Sequence, residues 1–343
     1  MAASVASLRK NLKKLIIFQS INCTSIRIIL LILSMNRRNF IGTAITGSIL
    51  AKNNIVFAKP ANDMKISVFS KTLHWIPDYN KLAETVSEIG FDGIDLTVRP
   101  DGHVLPERVA EDLPKVVEAC KKANIGVPMI VTNILEANPI TELVLKTASS
   151  LGIKHYRMGW YGFDVKKDIL TQVASFEEKM RGVAALNKKY NISGEYQNHA
   201  GLFLGASVWD FEPILKKINS PLLGCQYDVH HATHESETSW EIGFRIIEPY
   251  IKSIAIKDFR RVLKDGKLVK EGCPLGQGVV NFSKYLGLLK QYNVSVPITM
   301  HFEYKLGGAE NGAKTITVEP KEVTSAMKKD LAVFKGWLKD TGL

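Results

Sequence analysis

The stretch PLLGCQYDVHHATHE, residues 221–235, decides how the rest of the chain is read. Its opening, Pro221 to Gly224, reads as a strand entering a core. Asp228, His230, His231, His234 and Glu235 then fall within eight residues, where that strand should end. Imidazole and carboxylate together bind divalent metals or move protons near neutral pH. In a barrel of parallel strands, chemistry sits where strands end and loops begin. The alternative is a polar loop on a solvated surface, and the other histidines decide between the two.

Outward from this stretch, short apolar runs alternate with longer amphipathic ones. The runs predict strands at 65–70, 93–98, 127–132, 155–159, 192–197, 222–228, 251–257 and 298–304. Helical patterns fall at 79–89, 106–124, 140–151, 168–190, 208–218, 239–249, 282–292 and 320–339. This order and length fit a single-domain (β/α)8 TIM barrel. A doubly wound sheet seldom runs to so many regular units, and no glycine-rich dinucleotide fingerprint follows the first strand. Residues 264–270, around Asp265-Gly266, read as a small hairpin after the seventh strand.

Seven of the eight histidines follow or end a predicted strand; only His155 begins one. That clustering makes one end of the barrel a functional mouth. Period-two alternation puts Glu195, Gln197 and His199 on one face, then Gln226, Asp228 and His230, then Ala255 and Lys257, then Thr299, His301 and Glu303. Buried carboxylates and a buried lysine need each other, a cation or a polar substrate. A salt-bridged plug would satisfy them as well. Arg99 and His103 follow the second strand, and Arg99 could clamp an anionic or hydroxylated ligand. Trp75 and Trp160 follow the first and fourth strands and offer faces for a sugar ring, although packing is the commoner role of tryptophan. Arg157, His199 and His230 complete the expected substrate-binding set.

The net charge is +11, but residues 1–58 hold eight Lys/Arg and no Asp or Glu. The remainder has 45 − 8 = 37 basic against 34 acidic residues, which gives no case for a nucleic-acid partner. MNRRNFI at 35–41, the apolar run to Ala51 and Val56-Phe57-Ala58 resemble a twin-arginine export signal, too short to span a bilayer stably. Residues 1–34 then read as a misassigned start. The expected domains are 1–58 for targeting and 59–343 for the barrel, with a periplasmic location. With 1–58 removed, three of the four cysteines remain, Cys120, Cys225 and Cys273; they are odd in number and widely spaced, so no disulfide framework is expected.

The body resembles the xylose-isomerase-like TIM barrels of the sugar phosphate isomerase/epimerase type. The resemblance rests on GFDGIDLTVRPDGHVLPE at 90–107, EYQNHAG at 195–201, CQYDVHHATHE at 225–235, IKDF at 256–259, PLGQG at 274–278 and ITMHFEY at 298–304. It implies one divalent metal (Mn, Mg, Co or Zn) held by Glu, Asp, His and Glu on strands five to eight, with the glutamates moving a proton beside the substrate carbonyl. Asp228 matches, and His231 falls at the substrate-contacting position. Three positions depart: Gln197, Ala255 and His301 replace the strand-five Glu, the strand-seven His and the strand-eight Glu. A metal would then be held by Asp228 and His301, with Gln197 or Glu195 completing the shell. Without one, Glu303, Lys257 or a histidine serves as base.

The expected activity is a sugar isomerase or epimerase working by proton abstraction beside a carbonyl. Catalysis is assigned to Glu303, Lys257, Glu195 and His231, and the ligand is a small carbohydrate. A 3-keto-glycoside lyase or hydrolase on the same barrel is the enzymatic alternative, and a non-catalytic sugar-binding barrel is the other. An abasic-site nuclease would need a multi-zinc cluster and a basic face. Oligomeric state is left open, with a homo-oligomer compatible. Export gives the first prediction: replacing Arg37 and Arg38 by Lys should hold the protein in the cytoplasm. Finding Met1 at the terminus of the periplasmic protein would overturn it.

Overall fold

The computed structural model describes residues 64–343; the expected targeting segments, 1–34 and 35–58, lie outside the described residues. Eight parallel strands close a barrel: β1 (Ile66–Phe69), β2 (Gly93–Thr97), β3 (Gly126–Val131), β4 (His155–Arg157), β5 (Ser193–Gln197), β6 (Leu223–Asp228), β7 (Ile251–Ile256) and β10 (Ile298–Met300). Closure is made by β1, which pairs with β2 on one side and β10 on the other. Parallel neighbours need crossover connections, and helices supply them. These are α1 (Tyr79–Ile89), α2 (Val109–Lys122), α3 (Pro139–Ser150), α4 (Ile169–Tyr190), α5 (Glu212–Ile218), α6 (Val229–Ser236), α7 (Trp240–Ile247), α8 (Phe282–Gln291) and α9 (Pro320–Thr341). The (β/α)8 architecture is the one expected. No helix among the described residues is long and apolar enough to cross a membrane.

Helix starts follow local chemistry. Asp78 and Asn138 each accept a backbone N–H three residues on, at 2.8 Å, which caps α1 and α3. Glu319 and Glu322 form a capping box ahead of α9, with Pro320 in its first turn. The hairpin is longer than expected: β8 (Asp258–Lys264) pairs antiparallel with β9 (Lys267–Cys273). Asp265 and Gly266 turn it with φ of 50° and 73°, the left-handed pair a tight hairpin demands.

Two segments correct the sequence reading. Residues after Asp228 are not a loop but α6, and Asp228 itself caps that helix through the His231 N–H at 3.2 Å. The last barrel strand ends at Met300 instead of reaching Tyr304, so His301 and Glu303 lie on the segment leaving the strand.

The alternation separates two environments. Ile254, Ile256, Ile298, Met300 and Phe302 pack outward against helix residues such as Leu286, Leu289 and Val323. The barrel interior is polar: Ser67, Asp95, Arg157, Glu195, Gln226, Ser253 and Thr299 are all buried. At β5, Gly194 lets α4 approach closely. The buried Asn187 side chain accepts from the Tyr156 hydroxyl at 2.7 Å and donates to the Leu222 carbonyl at 2.8 Å. A Cβ at Gly194 would come within 2.6 Å of both polar atoms. Gly194→Ala should therefore cost about 1–3 kcal/mol by overpacking, read as a lower urea midpoint at constant m. An unchanged midpoint would show that α4 shifts freely.

Candidate functional site

A cavity of about 440 Å³ opens at the C-terminal end of the barrel strands. Of the expected residues, Gln197, Lys257, His301 and Glu303 line it, as do Arg99, Arg157, Trp160 and His199. The strand ends put them there. Gln197 closes β5, Lys257 follows β7, and Glu303 stands three residues past β10.

Lys257 is almost fully buried at the cavity floor. Its ammonium lies 3.1 Å from Glu303 Oε2, 3.3 Å from Asp228 Oδ2 and 2.9 Å from His231 Nε2. A lysine only donates, so His231 Nε2 accepts and the ring carries its proton on Nδ1. Burial alone would lower the Lys257 pKa, but Asp228 and then Glu303 outweigh it and hold the group above its ordinary value. Burial would raise the Glu303 pKa. Lys257, His301 and Lys71 overcome that and hold the carboxyl well below its usual range. Burial also pushes His199 down to about 4 and His301 to about 3, so both rings are neutral at pH 7. His199 Nδ1 meets the Ala200 carbonyl at 2.8 Å and donates to it, which leaves Nε2 as an acceptor.

The metal set implied by the resemblance, Asp228, His301 and Gln197, does not fit a divalent ion. Both Asp228 oxygens are already engaged. Oδ1 caps α6, and Oδ2 takes the Gln197 amide N–H at 2.8 Å and the Lys257 ammonium. Arg157 donates to Gln197 Oε1 at 3.0 Å, which fixes the amide so that its NH2 faces Asp228. Among the described residues, no group of three His, Cys, Asp or Glu side chains is placed to hold a metal. Positive charge of the chain itself stands against Asp228.

Six expected residues do not line the cavity; Asp228 and His231 meet it through Lys257, and the other four lie farther off. Glu195 sits two residues below Gln197, roughly 6–7 Å deeper along β5. There it meets His155 Nδ1 at 2.5 Å and accepts from the Ser253 hydroxyl. Alternation gave the right face but not the depth. His230 is on α6, not on β6, and packs on Phe259 with ring centroids 4.7 Å apart. His103 turns into the wall between the first two strands, 3.2 Å from the Leu73 carbonyl. Trp75 donates to the Thr72 carbonyl at 3.0 Å and packs against the core. His231 stands behind Lys257 and reaches the cavity through it.

Sequence reasoning did not single out Phe69, Lys71, Glu310 or Asn311, which also line the cavity. The run Phe69-Ser70-Lys71 carried the available signal, since it is aromatic and basic at a strand end. Asp258 opens the hairpin, one residue past Lys257. Its carboxylate accepts backbone N–H groups from Phe259 at 2.8 Å, Gly276 and Gly278 at 3.0 Å and Val280 at 3.3 Å. The PLGQG loop thus wraps a side chain of the hairpin root, and a Cβ at Gly278 would overlap that carboxylate. Cys120, Cys225 and Cys273 are free and buried.

A search of curated proteins returned no match. Solved structures share the fold at low identity. An L-ribulose 3-epimerase superposes with a TM-score of 0.63 at 13% identity, covering 81% of this chain and 95% of that one. A 3-keto-D-glucoside 4-epimerase from E. coli gives 0.59 at 12%, covering 80% and 99%. A xylose isomerase-like TIM barrel protein from Mycobacterium smegmatis, solved in complex with magnesium, gives 0.58 at 14%, covering 78% and 98%. A family profile described as xylose isomerase-like TIM barrel matches residues 83–318. With its closed eightfold barrel and the matched span, this chain belongs to the xylose isomerase-like TIM barrel family.

Proposed function

We propose that the protein is a sugar isomerase-type enzyme that moves a proton beside a carbonyl without a bound metal, using Glu303 as base and Lys257 as electrophile. The observation that carries this reading is the 3.1 Å pair of an ionised carboxylate and a buried ammonium on the cavity floor. Glu303 takes the proton from the carbon beside the carbonyl. The C–H electron pair moves into the carbonyl, and the oxygen gains charge as an enediolate. Once Glu303 holds the proton and is neutral, the Lys257 N–H that faced it turns to that oxygen, the role an oxyanion donor plays. The hydroxyl proton on the neighbouring carbon passes to that oxygen, Glu303 returns its proton to the former carbonyl carbon, and the carbonyl now stands one carbon along.

The reaction type follows from how many groups can hold a proton. Epimerisation by two groups needs an acid on the face opposite the base. Gln197, where the family resemblance implies a glutamate, cannot carry one. His199, across the mouth, is neutral with its acceptor nitrogen free. One carboxylate working one face fits transfer between adjacent carbons. It fits equally the start of an elimination from a 3-keto-glycoside, where the enediolate expels its leaving group. The Lys257 ammonium supplies the positive charge that the family resemblance assigns to a metal, because Asp228 is already committed to it.

A panel of aldoses, ketoses and 3-keto-glycosides tests this reading. Glu303→Gln should lower turnover about 10²–10⁴-fold with the fold intact. Turnover should survive a chelator. Unchanged turnover in Glu303→Gln would overturn the base, and loss in chelator with recovery in magnesium would overturn Lys257 as the cation.

The acid limb of the pH profile gives a separate test. The base works as a carboxylate, so activity falls only as pH drops through a value held well below the usual one. Lys71, 3.9 Å from Glu303 Oε1, is one of the charges holding it there. Lys71→Gln removes that charge, so the acid limb of kcat/KM should move to higher pH. A limb that stays in place would assign it to another group.

A further inference from the structure

The cavity wall carries more positive charge than the proposed chemistry uses. Four cations line it, Lys71, Arg99, Arg157 and Lys257, against two carboxylates, Glu303 and Glu310. Lys257 is matched by Asp228 and Glu303, and Lys71 lies 3.9 Å from Glu303. Glu310 is spent on its own loop, where it accepts the Leu306 and Gly308 backbone N–H groups at 2.9 Å each. Neither guanidinium has a carboxylate within ion-pair distance among the described residues. Arg157, almost fully buried, donates to the neutral Gln197, and its Nε has no partner. Arg99, half-buried, has no side-chain hydrogen bond or ion pair among the described residues.

The same groups gather on one ring. Arg157, Arg99 and Lys71 lie 5.3, 5.6 and 5.8 Å from the centre of Phe69, and Arg157 is also 4.5 Å from that of Trp160. Aromatic faces steady a guanidinium without neutralising it. Asp95, the carboxylate that acts on both, is fully buried and makes no ion pair with either, and burial pushes its pKa up to about 7. One carboxylate that makes no ion pair with either guanidinium is poor compensation for two of them. Isolated buried charge is costly, so an anion from outside is the partner this wall lacks.

We infer that the cavity takes a sugar bearing an anionic group, a carboxylate or a phosphate, bound by Arg99 and Arg157 beside Phe69. The volume, about 440 Å³, is within the range of small-molecule sites. The inference rests on the isomerase reading only for the sugar. Guanidinium forks match carboxylate and phosphate oxygens alike, so the source of the anion is settled by the ligands compared.

The test is calorimetric titration of wild type and Arg99→Gln with hexuronates, 2-ketohexonates, hexose 6-phosphates and their parent hexoses. At low salt, at least one anionic ligand should bind wild type about tenfold or more tightly than its parent hexose. Added NaCl should narrow that ratio, and Arg99→Gln should collapse it towards one while melting at the wild-type temperature. Preference for the acids identifies a carboxylate, and preference for the 6-phosphates identifies a phosphate. No binding of either anionic class, no preference over the parent hexose, or a preference that survives Arg99→Gln would overturn the inference. Should Arg99→Gln fail to melt normally, Arg99→Lys decides. It keeps the charge but loses the fork, so it should retain part of the preference, and full retention would overturn the two-pronged clamp. Anionic sugars that bind tightly but are never turned over would sink the isomerase reading and leave this one standing. Turnover of neutral sugars without anionic preference would do the reverse.

Discussion

An ammonium taken out of water must be surrounded by groups that replace its hydration, and Lys257 imposes that demand on the whole mouth of the barrel. Its three N–H bonds find Asp228, Glu303 and His231 on different elements. The cost of desolvating such a group is several kcal/mol unless partners are well placed. Each partner is therefore drawn into a set position. Asp228 ends β6 and caps α6, His231 lies in the first turn of that helix, and Glu303 is held over the floor by the segment leaving β10. Removing any partner would leave charge behind in a place with little water to screen it.

The interior shows the same economy one step deeper. Glu195, His155, Ser253 and Gln226 form a hydrogen-bonded chain beneath the mouth, with the Gln226 amide donating to the Ser253 hydroxyl at 3.2 Å. This chain does for the lower barrel what apolar side chains do in many such folds. It separates roles that look alike on paper, because one carboxylate props the barrel and another faces the cavity.

How far the sequence could be read follows from the same physics. The eight barrel strands and most helices were legible because their apolar periodicity is long and regular; the sheltered positions at 254, 256, 298, 300 and 302 show it plainly. The face of each strand was legible too, and so were Lys257, Glu303, Arg99 and Arg157 as groups at the mouth. Depth was not. Glu195 and Gln197 share a face, and only the hydrogen-bonding partners show that one looks down and the other up. Helix α6 was missed because its three histidines mask a short amphipathic turn. The aspartate that starts it was read only as a site residue, although aspartate is a favoured helix cap. The strand-end lysine at 71 was passed over because one basic residue in a polar run carries no period.

Asp258 shows how a barrel can carry an appendage. Four backbone N–H groups converge on one carboxylate at the root of the hairpin, tying the chain that leaves β7 to the chain that returns towards α8. Closing a loop of this kind costs entropy that grows only slowly with length. Once its two ends are clamped, what lies between them is free to lengthen, shorten or change composition without disturbing the strands. The part free to change is the exposed arm from Arg260 to Val269, whereas Gly272 is fixed because a Cβ there would overlap the Glu303 carbonyl. Through it a descendant of this chain could alter what reaches the mouth while inheriting the floor unchanged.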